Sequence, residues 1–233
     1  MTNPFDFDKM PGLAEGYERG PRWFVPGYDA SHVMAATLLS DRIGERGRVL
    51  VLGAGGGVEL SVLAQASSGW TFVGVDPSEQ MLAVADQKLR ALGLEARVQL
   101  VRGYIPDAPA GPFDAATCFL TLSFIPDDGA RLDALKHIRR RLVAGAPFLM
   151  ITGITHSADK TSPAFERQLR LYRAFARQNG APEDLIATAS EGVRRLHALT
   201  PEREEALLRE AGFGDVELFY AGLMIRGWSA IAV

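Results

Sequence analysis

The chain has 233 residues, 47% of them hydrophobic, which is enough for one large domain with a sizeable buried core. A formal net charge of -3 leaves no global basic field of the kind that draws proteins to nucleic acid or anionic lipid, and the single cysteine rules out a disulfide framework and Cys-rich zinc sites. No run approaches the ~18–20 apolar residues of a membrane helix, and the N-terminus MTNPFDFDKMPGLAEGYERG lacks the basic start and apolar stretch of a signal peptide, so the expectation is one soluble, cytoplasmic domain over 1–233 with no membrane partner.

In chain order, VPGYD makes a turn and the apolar residues from position 28 to about 43 crowd one helical stripe, closing an N-terminal helical segment over 1–45. RVLVLG is a short continuous apolar run suited to a central parallel strand, and a helix over about 58–66 follows its glycines. TFVGVD predicts a second strand ending in an acid, with Pro77 and Ser78 opening the next helix. ARVQLVRG and FDAATCFLTL predict the third and fourth strands, DDGARLDALKHIRRRLV a crossover helix and APFLMITG the fifth strand. Strands alternating with helices predict a parallel α/β sheet of Rossmann-like type with helices on both faces. Ligands of such sheets bind outside the strands' carboxyl ends, where strand order reverses.

After Gly153 the alternation stops, and residues 155–199 read as an inserted helical cap. TPEREEALLREAGF then begins a helix, with Thr200 as N-cap and Pro201 at its first position, although Arg203 stands where a full capping box wants Glu or Gln. VELFYAGLMIRGWSAIAV predicts an antiparallel hairpin at the sheet edge, turning near Ala221 and Gly222. Dinucleotide dehydrogenases build a second parallel half here instead.

Glycine-rich strand-to-helix turns serve NAD, flavin, S-adenosylmethionine (SAM) and mononucleotide sites alike. Here the glycines fall at Gly53, Gly55 and Gly57, and Val58 occupies the position where the dinucleotide fingerprint wants a third small residue. No Walker-type lysine follows, and Glu59 would repel a pyrophosphate. Asp76 ends the second strand, where its carboxylate can accept from both ribose hydroxyls of an adenosyl ligand or cap the next helix.

RVLVLGAGGG, TFVGVDPSEQML, FDAATCFLTLSFIPDD and the final hairpin together resemble the class I SAM-dependent methyltransferases over roughly residues 15 to 233. The resemblance implies a SAM cofactor held by Gly53, Ala54, Gly55, Gly57, Asp76, Pro77, Met81, Tyr104, Ile105 and Phe119. VPGYDASHVMAATLL, LTLSFIP and the C-terminal segment are similar to the carboxy-SAM synthases of tRNA wobble-uridine modification and related methyltransferases, in which a tyrosine of the VPGY segment reaches the cofactor. Tyr28 matches it.

The departures from that pattern are informative. Tyr104 replaces the synthase's adenine-facing acid, Phe119 replaces an asparagine at the end of the fourth strand, and the ungapped counterpart of the cap arginine that neutralises the synthase cofactor's extra carboxylate is Glu191. A shifted alignment offers Arg194 or Arg195. An unpaired buried carboxylate costs several kcal/mol, so ordinary SAM is the expected cofactor. The acid that the superfamily places in the first strand, against the methionine ammonium, is replaced by Val51, which leaves backbone carbonyls near Gly53 or the Tyr28 hydroxyl to hold that group.

The expected activity is methyl transfer to a small-molecule acceptor; the alternatives are a carboxy-SAM synthase-like enzyme and a non-catalytic SAM-binding protein. Methyl transfer from a sulfonium needs alignment above all, and proximity supplies ~7–11 kcal/mol of such a barrier. No catalytic residue is assigned; His156, after the fifth strand, is the candidate for substrate contact or general base. In the cap, Phe165, Leu169, Tyr172 and Ala176 share one helical face and Arg170, Arg173 and Arg177 a neighbouring one, read either as core stripe plus solvated face or as an aromatic, cationic acceptor pocket. The cap can serve as a lid or as a homodimer contact. Cys118 reads as a core residue, His32, His137 and His197 have no shared metal spacing, and no metal is expected. Arg131, Lys136 and the triplet Arg139–Arg141 make the crossover helix basic; a solvated face is expected there, and nucleic acid is not an expected partner.

Overall fold

The computed structural model describes residues 19–157 and 159–233. The signal-peptide argument and the first part of the 1–45 segment lie outside these residues. Helices α1 (Gly20–Phe24) and α2 (Tyr28–Ile43) precede strand β1 (Gly47–Leu52). Helix α3 (Val58–Ala66), β2 (Trp70–Asp76), α4 (Glu79–Ala91) and β3 (Val98–Arg102) follow. Next come β4 (Ala115–Phe119), α5 (Ala130–Arg139), β5 (Pro147–Gly153), α6 (Pro163–Gln178), α7 (Glu183–Arg195), α8 (Pro201–Glu210), β6 (Phe213–Gly222) and β7 (Ile225–Ala232).

The strands form one seven-stranded sheet in the order β3-β2-β1-β4-β5-β7-β6. β1 pairs in parallel with β2 and with β4, so strand order reverses between β1 and β4 and opens a crevice at their carboxyl ends. β7 runs antiparallel to both β5 and β6, and β6 lies outermost. The continuous apolar run of β1 has its expected cause. Val49 and Val51 point into one core cluster, Leu50 and Leu52 into the other, and all four are fully buried. Residues of α2 and α3 share the first cluster, whereas α5 and α8 contribute to the second.

Local signals place the helix starts. Ser78 Oγ accepts from the Met81 amide at 3.2 Å, and Thr200 Oγ1 from the Arg203 amide at 3.3 Å. Each such cap contributes about 1 kcal/mol. The hairpin turn lies two residues beyond the predicted one. Pairing continues to Gly222 opposite Ile225, and Leu223 in the turn takes a positive φ of 51°.

Residues 155–199 carry α6 and α7 and, among the described residues, no strand. Phe165, Leu169, Tyr172 and Ala176 are buried core. Arg173 donates to Ser190 Oγ at 2.9 Å and Arg177 pairs with Glu183 at 2.5 Å, so these two arginines clasp α6 to α7 rather than line a pocket. The cap meets the N-terminal segment where Phe24 stacks on Tyr172, with ring centroids 5.1 Å apart. From the other side, the Tyr220 hydroxyl donates to the carbonyl of Pro26. The segment that carries Tyr28 is thereby held between cap and hairpin.

The basic crossover segment is solvated at Lys136 and Arg140, as expected, whereas Arg131, Arg139 and Arg141 are engaged by the protein itself. Arg131 is fully buried, pairs with the equally buried Glu204 at 2.5 Å, and donates to the carbonyls of Ile125 and His197. Arg139 donates to the Gly212 and Val233 carbonyls, and Arg141 to those of Pro106 and Ala108. These guanidiniums satisfy carbonyls outside the helix, a task for which five fixed donors suit arginine. Sequence periodicity cannot see those partners.

Candidate functional site

The glycine turn sits at the carboxyl end of β1. Gly53, Gly55 and Gly57 all have positive φ, at 75°, 48° and 76°. A Cβ on Gly53 would lie 1.9 Å from Thr121 Oγ1, so the turn and the loop after β4 approach as closely as only glycine permits. At Gly57 a Cβ would meet the backbone of Ala85 at 3.0 Å. The third glycine therefore serves helix-to-helix packing of α3 on α4.

Asp76 fastens the turn to β2. Its Oδ2 accepts from the Gly55 amide and its Oδ1 from the Ser78 amide, each at 2.9 Å. It is 9% exposed. The structure bears out its capping role, and through the Gly55 amide it orients the glycine turn that walls the cleft described next.

Beside the turn lies an open cleft, with about 480 Å³ of atom-free space that includes the solvent at its mouth. Gly53, Ala54, Gly55 and Gly56 form one wall. Val25, Tyr28, Ser31 and His32 from α2 and its preceding turn form another, and Phe119, Leu120 and Ile151 close the sheet side. Val58 and Glu59 complete it from α3. No lysine or arginine lines it among the described residues. Leu120 has a φ of 57°, a left-handed backbone that costs a leucine on the order of 1 kcal/mol and occurs here at the cleft wall.

Two titratable groups line this cleft, Glu59, which the sequence offered only as an obstacle to pyrophosphate, and His32, which it offered only as an unsuitable metal ligand. His32 packs edge-on between Tyr28 and Phe119, with centroids at 4.6 and 5.5 Å. Its Nδ1 lies 2.8 Å from the Tyr28 carbonyl, which can only accept, so Nδ1 carries the proton and Nε2 is left as an acceptor. Burial lowers its pKa, which keeps the ring neutral. Glu59 is 5% exposed, and burial pushes its carboxyl up to about 8. The neighbouring Thr117 hydroxyl pulls against that rise, but the contact falls short of a well-formed hydrogen bond, so Glu59 Oε1 and Thr117 Oγ1 are both buried without a formed partner. The sequence signal for both was position alone: Glu59 two residues after the last glycine, and His32 one helical turn after Tyr28.

Of the other expected site residues, Tyr28, Gly53, Ala54, Gly55 and Phe119 line the cleft, while Gly57 packs behind it. Pro77, Met81, Tyr104 and Ile105 lie beyond the turn toward β3. Met81 and Ile105 are buried and the Tyr104 ring is 69% exposed. His156 is not brought to the cleft; its amide donates to Gln168 at the foot of the cap. Val51 is fully buried. Glu191 is exposed, Arg195 is exposed, and Arg194 is paired with Glu166 at 2.7 Å on the cap, so a shifted alignment places no cation in the cleft. Cys118 is a fully buried core thiol. Among the described residues no helix is long and apolar enough to cross a membrane.

The glycine cradle, the Asp76 carboxylate and the bare Glu59 oxygen fit an adenosyl amino-acid ligand, and comparison with known proteins agrees. Residues 50–148 match a methyltransferase domain family. The chain is 29% identical over 218 residues to a carboxy-S-adenosyl-L-methionine synthase of Campylobacter concisus, covering 93% of this chain and 90% of that protein. It is 31% identical over 101 residues to a ubiquinone biosynthesis O-methyltransferase of Xylella fastidiosa, covering 43% and 41%. Among solved structures it superposes on the SAM-dependent methyltransferase SibL with a TM-score of 0.65 at 23% identity, covering 95% of this chain and 59% of that one. A putative O-methyltransferase of Nostoc punctiforme gives 0.65 at 16% identity, with 98% and 72% covered. With its glycine turn inside the matched segment and its reversed strand at the sheet edge, the chain has the Rossmann-like fold of the class I SAM-dependent methyltransferases and is similar to them in sequence over residues 50–148.

Proposed function

We propose that this protein transfers a methyl group from ordinary SAM to a small acceptor bound in the cleft under Tyr28, His32 and Phe119. The observation that carries the reading is the lining itself: aromatic and apolar on the acceptor side, acidic at Glu59, and without a lysine or arginine among the described residues. SAM supplies an electrophilic methyl on a sulfonium. Gly53 and Gly55 let the backbone approach the cofactor, and Asp76 accepts from the ribose hydroxyls. Tyr28 covers the cofactor from α2. Phe119, Leu120 and Ile151 exclude water and orient the acceptor, while the free Nε2 of His32 takes up the proton of its hydroxyl or amine.

Similarity over almost the whole chain favours, as a second reading, a synthase that makes carboxy-SAM. Against it stands the cation-free cleft, where a second carboxylate would meet Glu59 rather than an arginine. Calorimetric titration with SAM, S-adenosylhomocysteine and NAD, followed by transfer of labelled methyl to a panel of small hydroxyl and amine acceptors, tests the proposal. Binding of SAM and S-adenosylhomocysteine in preference to NAD, with transfer to a small acceptor, is expected. Tighter binding of NAD, or conversion of SAM to a carboxylated product, contradicts it.

A further inference from the structure

We infer that Glu59 is the counter-charge for the α-ammonium of the cofactor's methionine moiety, filling from α3 the role that Val51 cannot fill from β1. The inference rests on SAM as the ligand of the cleft. Any such ligand brings one ammonium group into a largely desolvated site, and a buried ammonium needs an acceptor that carries charge. Two carboxylates border the glycine turn. Asp76 already accepts from the amides of Gly55 and Ser78. Glu59 lines the cleft, is 5% exposed, and has a buried Oε1 with no partner. An unpartnered buried carboxyl oxygen is a costly feature unless a ligand completes it. At position 51 the fully buried valine packs in the core, and its cross-strand neighbour Thr117 leaves an equally unpartnered hydroxyl beside Glu59.

The free protein holds Glu59 protonated near neutral pH, because burial raises its carboxyl to about 8. An arriving ammonium favours the ionised form, so binding expels a proton. The other titratable groups facing this space do not supply it. His32 on α2 is already neutral, the Cys118 thiol on β4 is held protonated by burial, and Asp76 on β2 is engaged by two amides. Tyr28 on α2 lines the same cleft.

Calorimetry of the whole protein at pH 7, in two buffers of different ionisation enthalpy, counts protons released on binding S-adenosylhomocysteine and 5′-methylthioadenosine, which lacks the amino-acid portion. The wild type should release close to one proton with S-adenosylhomocysteine and none with methylthioadenosine. Glu59→Gln should weaken S-adenosylhomocysteine at least tenfold, abolish its proton release, and leave methylthioadenosine within about twofold. Wild-type binding of S-adenosylhomocysteine without proton release overturns the inference whether or not the variant folds, as does unchanged affinity in Glu59→Gln, and both outcomes leave the methyltransferase reading standing. Failure of the wild type to bind S-adenosylhomocysteine at all removes that reading and this inference together.

Discussion

Three side chains carry most of the local chemistry. Asp76 ties the Gly55 amide to the Ser78 amide and is the proposed acceptor of the ribose hydroxyls, so Asp76→Ala should act on ligand and fold alike. Losing hydrogen bonds to a charged acceptor, at ~1.5–3 kcal/mol each, should weaken SAM at least tenfold by calorimetry and lower the melting temperature. Glu59 predicts an unusual pH dependence of the free protein. Its carboxyl titrates at about 8 when folded, against 4.5 in the absence of burial. The folded state therefore binds the extra proton between those values, so the stabilisation it gives is full below pH 4.5 and is lost as pH rises through 8. Urea unfolding should show stability declining across this window, with a slope from this group of up to ~1.4 kcal/mol per pH unit, and Glu59→Gln should flatten it. His32 is expected to act on turnover. His32→Asn should lower kcat for a hydroxyl or amine acceptor by ~10²-fold while leaving SAM affinity unchanged, and equal loss of SAM binding would assign it to the cofactor side instead.

At the scale of elements, the decisive arrangement is the clamp on the turn before α2. Phe24 stacks on Tyr172 of the cap, and the Tyr220 hydroxyl of β6 reaches the Pro26 carbonyl, so the cofactor-side tyrosine is positioned by two elements remote in sequence. Tyr220→Phe should cost about 0.5–1.5 kcal/mol of stability and raise the dissociation constant for SAM severalfold. Denaturant titration and calorimetry on the same variant measure both. The elements themselves were largely legible, because hydrophobic period and capping residues are local. The helix over Tyr28–Ile43 and that over Val58–Ala66 fall where the apolar stripes place them, and Thr200 caps α8 as read. What the sequence hid is contact between distant segments. The arginines of α5 looked solvated because the carbonyls of Ile125, Ala108 and Gly212 that they satisfy come from loops elsewhere in the chain. The hairpin turn moved to Leu223 because ladder pairing outweighed the preference for glycine.

At the scale of the whole molecule, strand order reverses between β1 and β4, and the cleft opens at that point. The glycine turn and Asp76 could be read as half of the site, since their spacing follows the backbone of one strand–turn–helix unit. The other half could not, because Glu59 and His32 become site residues only when α2 is laid across α3 and the carboxyl end of β4. The absence of a cation among the described residues that line this cleft is the ground on which ordinary SAM is proposed here over its carboxylated form. Mass spectrometry of the small molecule released from the freshly purified, denatured protein tests that claim most directly. SAM or S-adenosylhomocysteine at its unmodified mass is predicted, and a carboxylated adduct would contradict the account.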